Sequence, residues 1–260
     1  MLELLGNFVE LSVPSHNIYI YIPWVYACFL DASKAFDCVV HEKLCCKLLD
    51  KGLPINVVKV LYYWFKNQNY VFSWGGKVSR SFVPQRSVRQ GGVLSPYLFN
   101  LYMDGLGELL DKADVGCRIG RHYCNKFWYA DDLCLLAPSR YALQKSIDIA
   151  SKYVDRHTIS FNTDKTVCMQ FSASCEKHLV THTIFLGNTS LNWVDSFNYL
   201  GYTFTNKKQA DDLEIEKRLK EAKIRANVVG TRFRKASHDV KQLLFSTFFC
   251  ILLMFFMDAK

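Results

Sequence analysis

Two short apolar stretches carry carboxylates where a strand should be buried, and nothing else in the chain limits its folding as tightly. Asp31 stands in VYACFLDASKAFD, and the adjacent pair Asp131 and Asp132 stands in FWYADDLCLLA. An unpaired carboxylate in an apolar setting is costly, so something cationic must offset the charge. A pair of Mg²⁺ ions is the economical candidate: hard divalent cations take carboxylate oxygens, and two of them can clamp an in-line phosphoryl displacement. That points to a nucleotidyl transferase. Taken singly, each piece has a plainer reading, with Tyr-Ala-Asp-Asp as a hairpin turn and Asp31 as a helix cap. The residues that accompany the acids decide between the two.

Between the acids lies SVRQGGVLSPYLFNLYMDGLGELL. Gly91 and Gly92 permit close approach of backbone to a ligand, Ser95 suits an N-cap and Pro96 a first helical turn. An apolar helix should follow through Leu98, Leu101, Tyr102 and Leu106. This is either a loop feeding a core helix or, with Gln90 beside two glycines, a surface on which to lay a base or ribose. After the acid pair the pattern predicts a helix capped by Ser139, with Leu143, Ile147, Ala150 and Val154 on one face. SFNTDKTVCMQF follows, placing Lys165 just before a short strand, where it would ordinarily be a solvated lysine. SFNYLGYTF comes after a hairpin expected to turn at Gly187 and Asn188.

In this order the motifs resemble the palm of reverse transcriptases, specifically those of non-LTR (LINE-like) retrotransposons. FLDASKAFD is similar to motif A, RQGGVLSPYLFNLYMD to motif B, YADD to motif C, FNTDKT to motif D and FNYLGYTF to the primer-grip motif E. The resemblance covers about residues 25 to 205 strongly and the rest weakly. It implies that Asp31, Asp131 and Asp132 form a metal-binding set for two Mg²⁺ ions, with Mn²⁺ as a substitute and Asp132 more supportive than coordinating. Ala32 would offer a backbone carbonyl to a metal and Ala35 a backbone amide to the triphosphate. Phe36 would be the steric gate against a ribose 2′-hydroxyl, and Gln90 and Gly91 would border the incoming nucleotide. Lys165 would be a proton donor or charge partner for the leaving pyrophosphate. Tyr199, Leu200 and Gly201 would hold the primer end, while Asp37 reads as structural. The partners implied are an RNA template, a DNA primer and dNTPs.

The fold expected is α+β: a βαββαβ palm, ferredoxin-like, with an antiparallel sheet and helices on one face, followed by a helical thumb-like extension. Its pieces should be a strand from Val25 to Asp31, a helix from His41 to Lys51 stopped by Gly52, and a second helix after Pro54. NYVFSW and KVSRSFV should then form a hairpin around Gly75 and Gly76. Residues 1–24 would be a short lead, 25–206 the palm and 207–260 the extension. The family's fingers region precedes motif A, and residues 1–24 are too short to supply it, so the expectation is a fragment.

Charge agrees with a polyanionic partner. The net charge is +8, and from Lys207 to Lys241 eleven Lys or Arg face six Asp or Glu, placing +5 in one helical stretch. That stretch reads either as a solvated helix face laced with i,i+4 pairs or as the start of a thumb that follows a phosphate backbone. Ten cysteines without paired CxxC spacing and without a signal peptide suggest free thiols in a reducing compartment, nucleus or cytoplasm. Cys117, His122 and Cys124 lack a fourth zinc ligand at suitable spacing. The apolar run Leu243–Met257 falls short of the ~20 residues that span a bilayer, so no membrane association is expected.

RNA-directed DNA polymerisation is the leading reading. A catalytically silent nucleic-acid-binding remnant is the alternative from another class. An RNA-dependent RNA polymerase shares the metal chemistry but is opposed by the bulky Phe36.

Overall fold

The computed structural model describes residues 10–12, 19–21, 24–119, 122–172, 183–206 and 210–244. Residues 1–9, 13–18 and 22–23 of the expected lead, and 245–257 of the apolar run, lie outside the described residues. The chain divides into two compact units, Met1–Asp195 and Ser196–Lys260.

The first unit runs through β1 (Trp24–Ser33), α1 (His41–Asp50), α2 (Ile55–Lys66), α3 (Ser95–Lys112), β2 (Lys126–Tyr129), β3 (Asp132–Ala137), α4 (Arg140–Arg156), β4 (Ser160–Phe161), β5 (Val167–Ser172) and β6 (Asn192–Trp193). Among the described residues of this unit four further antiparallel pairs join 10–12 with 19–21, 73–74 with 77–78, 118–119 with 122–123 and 185–186 with 189–190. The main sheet has the order β6-β5-β1-β3-β2, with β4 pairing the end of β1.

β1 sits in the middle because WVYACFLDAS is apolar without alternation, as befits a strand covered on both faces. Its neighbours β3 and β5 are both antiparallel to it. On one face, Tyr26, Cys28 and Leu30 of β1 and Leu133, Leu135 and Ala137 of β3 join a core with Leu44 and Leu48 of α1, Phe99, Tyr102 and Leu106 of α3, and Leu143, Ile147 and Ala150 of α4. Each leucine buried in that layer stabilises by about 1.5–3 kcal/mol relative to exposure. Since strand residues alternate between faces, committing Leu30 and Leu133 to the helical layer commits Asp31 and Asp132 to the other side.

Several local details differ from the sequence expectation. The sheet is mixed rather than antiparallel throughout: β6 runs parallel to β5, pairing Val167 with Asn192 and Cys168 with Trp193. A parallel neighbour needs a long connection, and β5 and β6 stand far enough apart in sequence, Ser172 to Asn192, to allow one. Helix α1 ends at Asp50, one residue before the expected Lys51, with Gly52 just beyond at φ +85°. Ser95 does not cap α3. The cap position is Leu94, and the Ser95 hydroxyl donates instead to the Arg89 carbonyl. Ser139 caps α4 as expected, its oxygen accepting from the Ala142 amide at 3.2 Å. No helix among the described residues is long and apolar enough to cross a membrane.

The second unit contains β7 (Ser196–Tyr199), β8 (Tyr202–Thr205) and α5 (Ala210–Arg232). β7 and β8 form a hairpin whose two turn residues, Leu200 and Gly201, both have positive φ, 52° and 79°. That is the turn whose twist matches paired strands. α5 lies against this hairpin through Lys217, which donates to Thr203 Oγ1 at 2.9 Å, and through Arg218, which donates to the Gly201 carbonyl.

Candidate active site

The acids are assembled by strand register and a tight turn. In the β2–β3 hairpin Tyr129 pairs with Asp132, which leaves Ala130 and Asp131 as the two turn residues. Ala130 has φ +54°, a conformation unusual for a residue with a side chain and one that stores strain. Two hydrogen bonds hold it there: the Trp128 indole Nε1 donates to the Ala130 carbonyl at 2.8 Å, and the Ala32 amide donates to the Asp131 carbonyl at 3.3 Å. Across the sheet Asp31 pairs directly with Asp132. Residues opposed in this way carry their Cβ atoms about 4.5–5.5 Å apart on one face.

Electrostatics reflect this crowding. The Asp132 carboxyl is held above the usual carboxylate range, first by burial and then by the nearby charges of Asp131 and Asp31, with Lys165 acting in the opposite direction. Lys165 Nζ lies 3.8 Å from Asp31 Oδ2. Its side chain is mostly exposed, so the pair adds little stability. What places Lys165 is the loop before β5. The Asn162 amide donates to the Asp31 carbonyl at 2.8 Å, Asn162 Oδ1 accepts from the Asp164 amide at 3.0 Å, and the Thr166 amide donates to the Asn162 carbonyl at 2.9 Å. The loop is therefore tied to the end of β1 at the residue that carries the first acid.

Beyond Asp31 the chain leaves the sheet. Ala32 is buried and paired with Phe161, and Lys34 at φ +49° leads into a short 3₁₀ turn, Ala35–Cys38, in which Ala35 is buried. Phe36 is half-buried, its ring stacked on Phe99 with centroids 5.0 Å apart, and its carbonyl accepts from the Val88 amide at 2.8 Å. That bond connects the 3₁₀ turn to the segment holding Gln90 and Gly91, which are exposed at the tip of a turn closed by the Gly92 amide donating to the Arg89 carbonyl at 3.0 Å. Gly91, at φ +79°, occupies the turn position that favours glycine.

Asp31, Asp131, Asp132 and Lys165 thus lie near one another, with Ala32 next to Asp31 in β1 but in the helical-face core, and Ala35 and Phe36 following directly along the chain. Gln90 and Gly91 connect to Phe36 through Val88. Tyr199, Leu200 and Gly201 belong to the second unit, where Tyr199 is buried and Leu200 is exposed at the turn. Sequence reasoning did not single out Trp128 or Asn162. The Asn-Thr-Asp run offered a turn signal for Asn162. Nothing in the sequence marked Trp128.

Oxygen donors at a point of excess negative charge fit a hard divalent cation. Among the described residues no three His, Cys, Asp or Glu side chains stand as a ready ligand set.

Comparison with known proteins bears on the same residues. The model of the family described as reverse transcriptase (RNA-dependent DNA polymerase) matches residues 24–204. The chain is 32% identical over 186 residues to the Retrovirus-related Pol polyprotein from type-2 retrotransposable element R2DM of Drosophila melanogaster, covering 69% of this chain and 18% of that protein. It is 31% identical over 192 residues to the Retrovirus-related Pol polyprotein from type-1 retrotransposable element R2 of Nasonia vitripennis, covering 71% of this chain and 19% of the relative. The chain spans less than a fifth of the length of either. In fold it is similar to telomerase from Candida albicans, solved in complex with a TWJ fragment of telomeric RNA, at a TM-score of 0.50 and 16% identity over 79% of this chain and 32% of that one.

Proposed function

Because the chain belongs to the reverse transcriptase (RNA-dependent DNA polymerase) family, we propose that it forms the palm of a non-LTR retrotransposon Pol protein. There a DNA primer's 3′-hydroxyl attacks the α-phosphate of a dNTP directed by an RNA template. The observation that carries this reading is the register of Asp31 against Asp132 with Asp131 in the adjoining turn. The strand order β5-β1-β3-β2 around helices α3 and α4 supports the ferredoxin-like palm topology.

Two Mg²⁺ ions, or Mn²⁺ in their place, would be held by the carboxylates of Asp31, Asp131 and Asp132 and the carbonyl of Ala32. When bound, they supply a lowered pKa for the attacking hydroxyl and charge stabilisation for the departing pyrophosphate. The chain's own groups do the rest. Phe36, backed by Phe99, is the flat surface that excludes a 2′-hydroxyl, and the Ala35 amide and the Gln90–Gly91 turn bound the nucleotide. Lys165 delivers positive charge, or a proton, to the leaving group. The Tyr199–Gly201 turn holds the primer end.

Primer extension on an RNA template, with dNTPs and with rNTPs, tests the reading. Synthesis that needs a divalent ion, prefers dNTPs and falls below detection in Asp131→Asn is the expected result. Synthesis that persists in Asp131→Asn would remove the assignment of the acids.

A further inference from the structure

From Lys51 to Met103 the chain carries seven Lys or Arg and no Asp or Glu. Within this stretch residues 69–83 fold back on themselves: Trp74 pairs with Lys77, Ser73 with Val78 and Tyr70 with Phe82. Gly75 and Gly76, at φ 55° and 77°, make the two-residue turn. The hairpin contains none of the residues assigned above.

Its aromatic side chains are turned outward. Trp74 is 88% exposed, Phe72 69% and Phe82 41%. The rings are also ordered among themselves. Phe72 stacks on Phe82 with centroids 5.4 Å apart and planes 24° from parallel, and Tyr70 meets the same Phe82 at 6.1 Å. Trp74 stands at the tip, opposite Lys77 in the ladder, so the two share a face. Apolar exposure on this scale marks a surface that something covers.

Charge selects among the candidates. The cores of protein-docking patches are depleted in charge, and in lysine above all. Here Lys77, Arg80, Arg86 and Arg89 lie in or beside the aromatic hairpin, and none of them takes part in an ion pair among the described residues. Exposed rings interleaved with unpaired cations suit a polyanion with free π-faces, which is single-stranded nucleic acid. Bases paired within a duplex have their faces occupied by their neighbours, so a duplex would leave the rings uncovered.

We propose that the 69–83 hairpin is a stacking platform for single-stranded nucleic acid, with Trp74 and the Phe72–Phe82 stack taking bases and Lys77 and Arg80 taking phosphates. The proposal does not depend on the acids. An unstructured strand approaching the protein would be gripped here by contacts that read no sequence.

The test is fluorescence-anisotropy titration of the full 260-residue chain with labelled U12 and dT12, in EDTA and without nucleotides. Base–aromatic stacking predicts that Trp74→Ala weakens binding about 5- to 150-fold while Trp74→Phe retains most of the affinity. The double variant Lys77→Gln, Arg80→Gln should flatten the slope of log affinity against log salt by about 1.4, since each phosphate contact on a single strand contributes ~0.7. Binding measured in EDTA and without nucleotides separates this site from the reading of the acids. An abasic 12-mer should bind parent and Trp74→Ala alike. The exposure of Trp74 makes misfolding of its variants simple to exclude by circular dichroism, and Phe72→Ala supplies a second, independent lesion. The proposal is overturned if the chain does not bind either 12-mer, or if Trp74→Ala and Phe72→Ala both bind with parental affinity. It is overturned as well if the abasic strand binds the parent as tightly as U12. Self-association of the parent in sedimentation, lost in Trp74→Ala while oligonucleotide affinity holds, would give the face to protein docking instead.

Discussion

Gly116 offers the sharpest check on how the site-bearing hairpin is anchored. It follows α3 at φ +113°, and a Cβ there would lie 2.2 Å from the Asn125 Cβ and 3.0 Å from the Leu136 carbonyl oxygen. Neither neighbour is free to yield. Asn125 is buried, its Nδ2 donating to the Val115 carbonyl at 3.3 Å, and its carbonyl accepts from the Leu136 amide at 2.9 Å. Leu136 belongs to β3, the strand that opens with Asp132. For Gly116→Ala, the unfavourable φ costs about 1–2 kcal/mol. Forcing a methyl into an occupied volume adds about 1–3 kcal/mol, and the stiffer unfolded chain returns about 0.4–1 kcal/mol. The net is a loss of about 1–4.6 kcal/mol, or a fall in Tm of roughly 2–18 °C for a domain of this size. Gly52→Ala is the control, because Gly52 has a similar φ of +85° with nothing within 4 Å of the added atom. It should lose no more than about 1–2 kcal/mol, the strain alone. Thermal melts by circular dichroism on both variants decide the matter. Equal falls in Tm would mean that the loop at 114–117 is not packed against β3 as described, and the reasoning would fail.

Burial holds the His41 and His157 imidazoles below their ordinary value of 6.5. The unfolded chain therefore takes up these protons first as pH falls, so the stability they contribute is full above about 6.5 and is lost toward lower pH. Tm measured from pH 7.5 to 5 should decline, with a shallower decline in His157→Gln; an unchanged slope would clear that imidazole. Phe36→Val should raise rNTP use relative to dNTP use while lowering stability by about 1–3 kcal/mol through lost packing on Phe99. Lower Tm with unchanged selectivity in primer extension would make Phe36 a packing residue alone. Trp128→Phe keeps a ring and removes the donor to Ala130, a loss of about 0.5–1.5 kcal/mol. Hydrogen exchange should quicken at residues 129–132 with little change elsewhere, and a uniform increase along β1 would contradict the local role given to the indole.

The central strand was legible because its composition left no alternative. An unbroken apolar run ending in an acid is a poor helix and a poor surface strand, and the structure extends it only from Val25–Asp31 to Trp24–Ser33. The helices after His41 and Pro54 and the Ser139 cap were equally readable, since breakers and caps act within a few residues. Ser95 misled because its local signal for a cap was outbid by a carbonyl six residues earlier, which only the folded loop brings near. The parallel β6 could not be foreseen, since two residues of pairing leave no pattern. Asn162 and Trp128 act through backbone groups of Asp31 and Ala130, and backbone partners leave no trace in side-chain spacing.

Asp31 and Asp131 differ in what supports them. Asp31 rides on a strand laddered on both sides, so its backbone is released only when the sheet itself comes apart. Asp131 rides on a two-residue turn leading from β2, the last strand in the order of the main sheet among the described residues. Opening free energies follow such differences in support. On this footing the two carboxylates stand on backbone of unequal support, one inside the sheet and one in the turn beside its last strand.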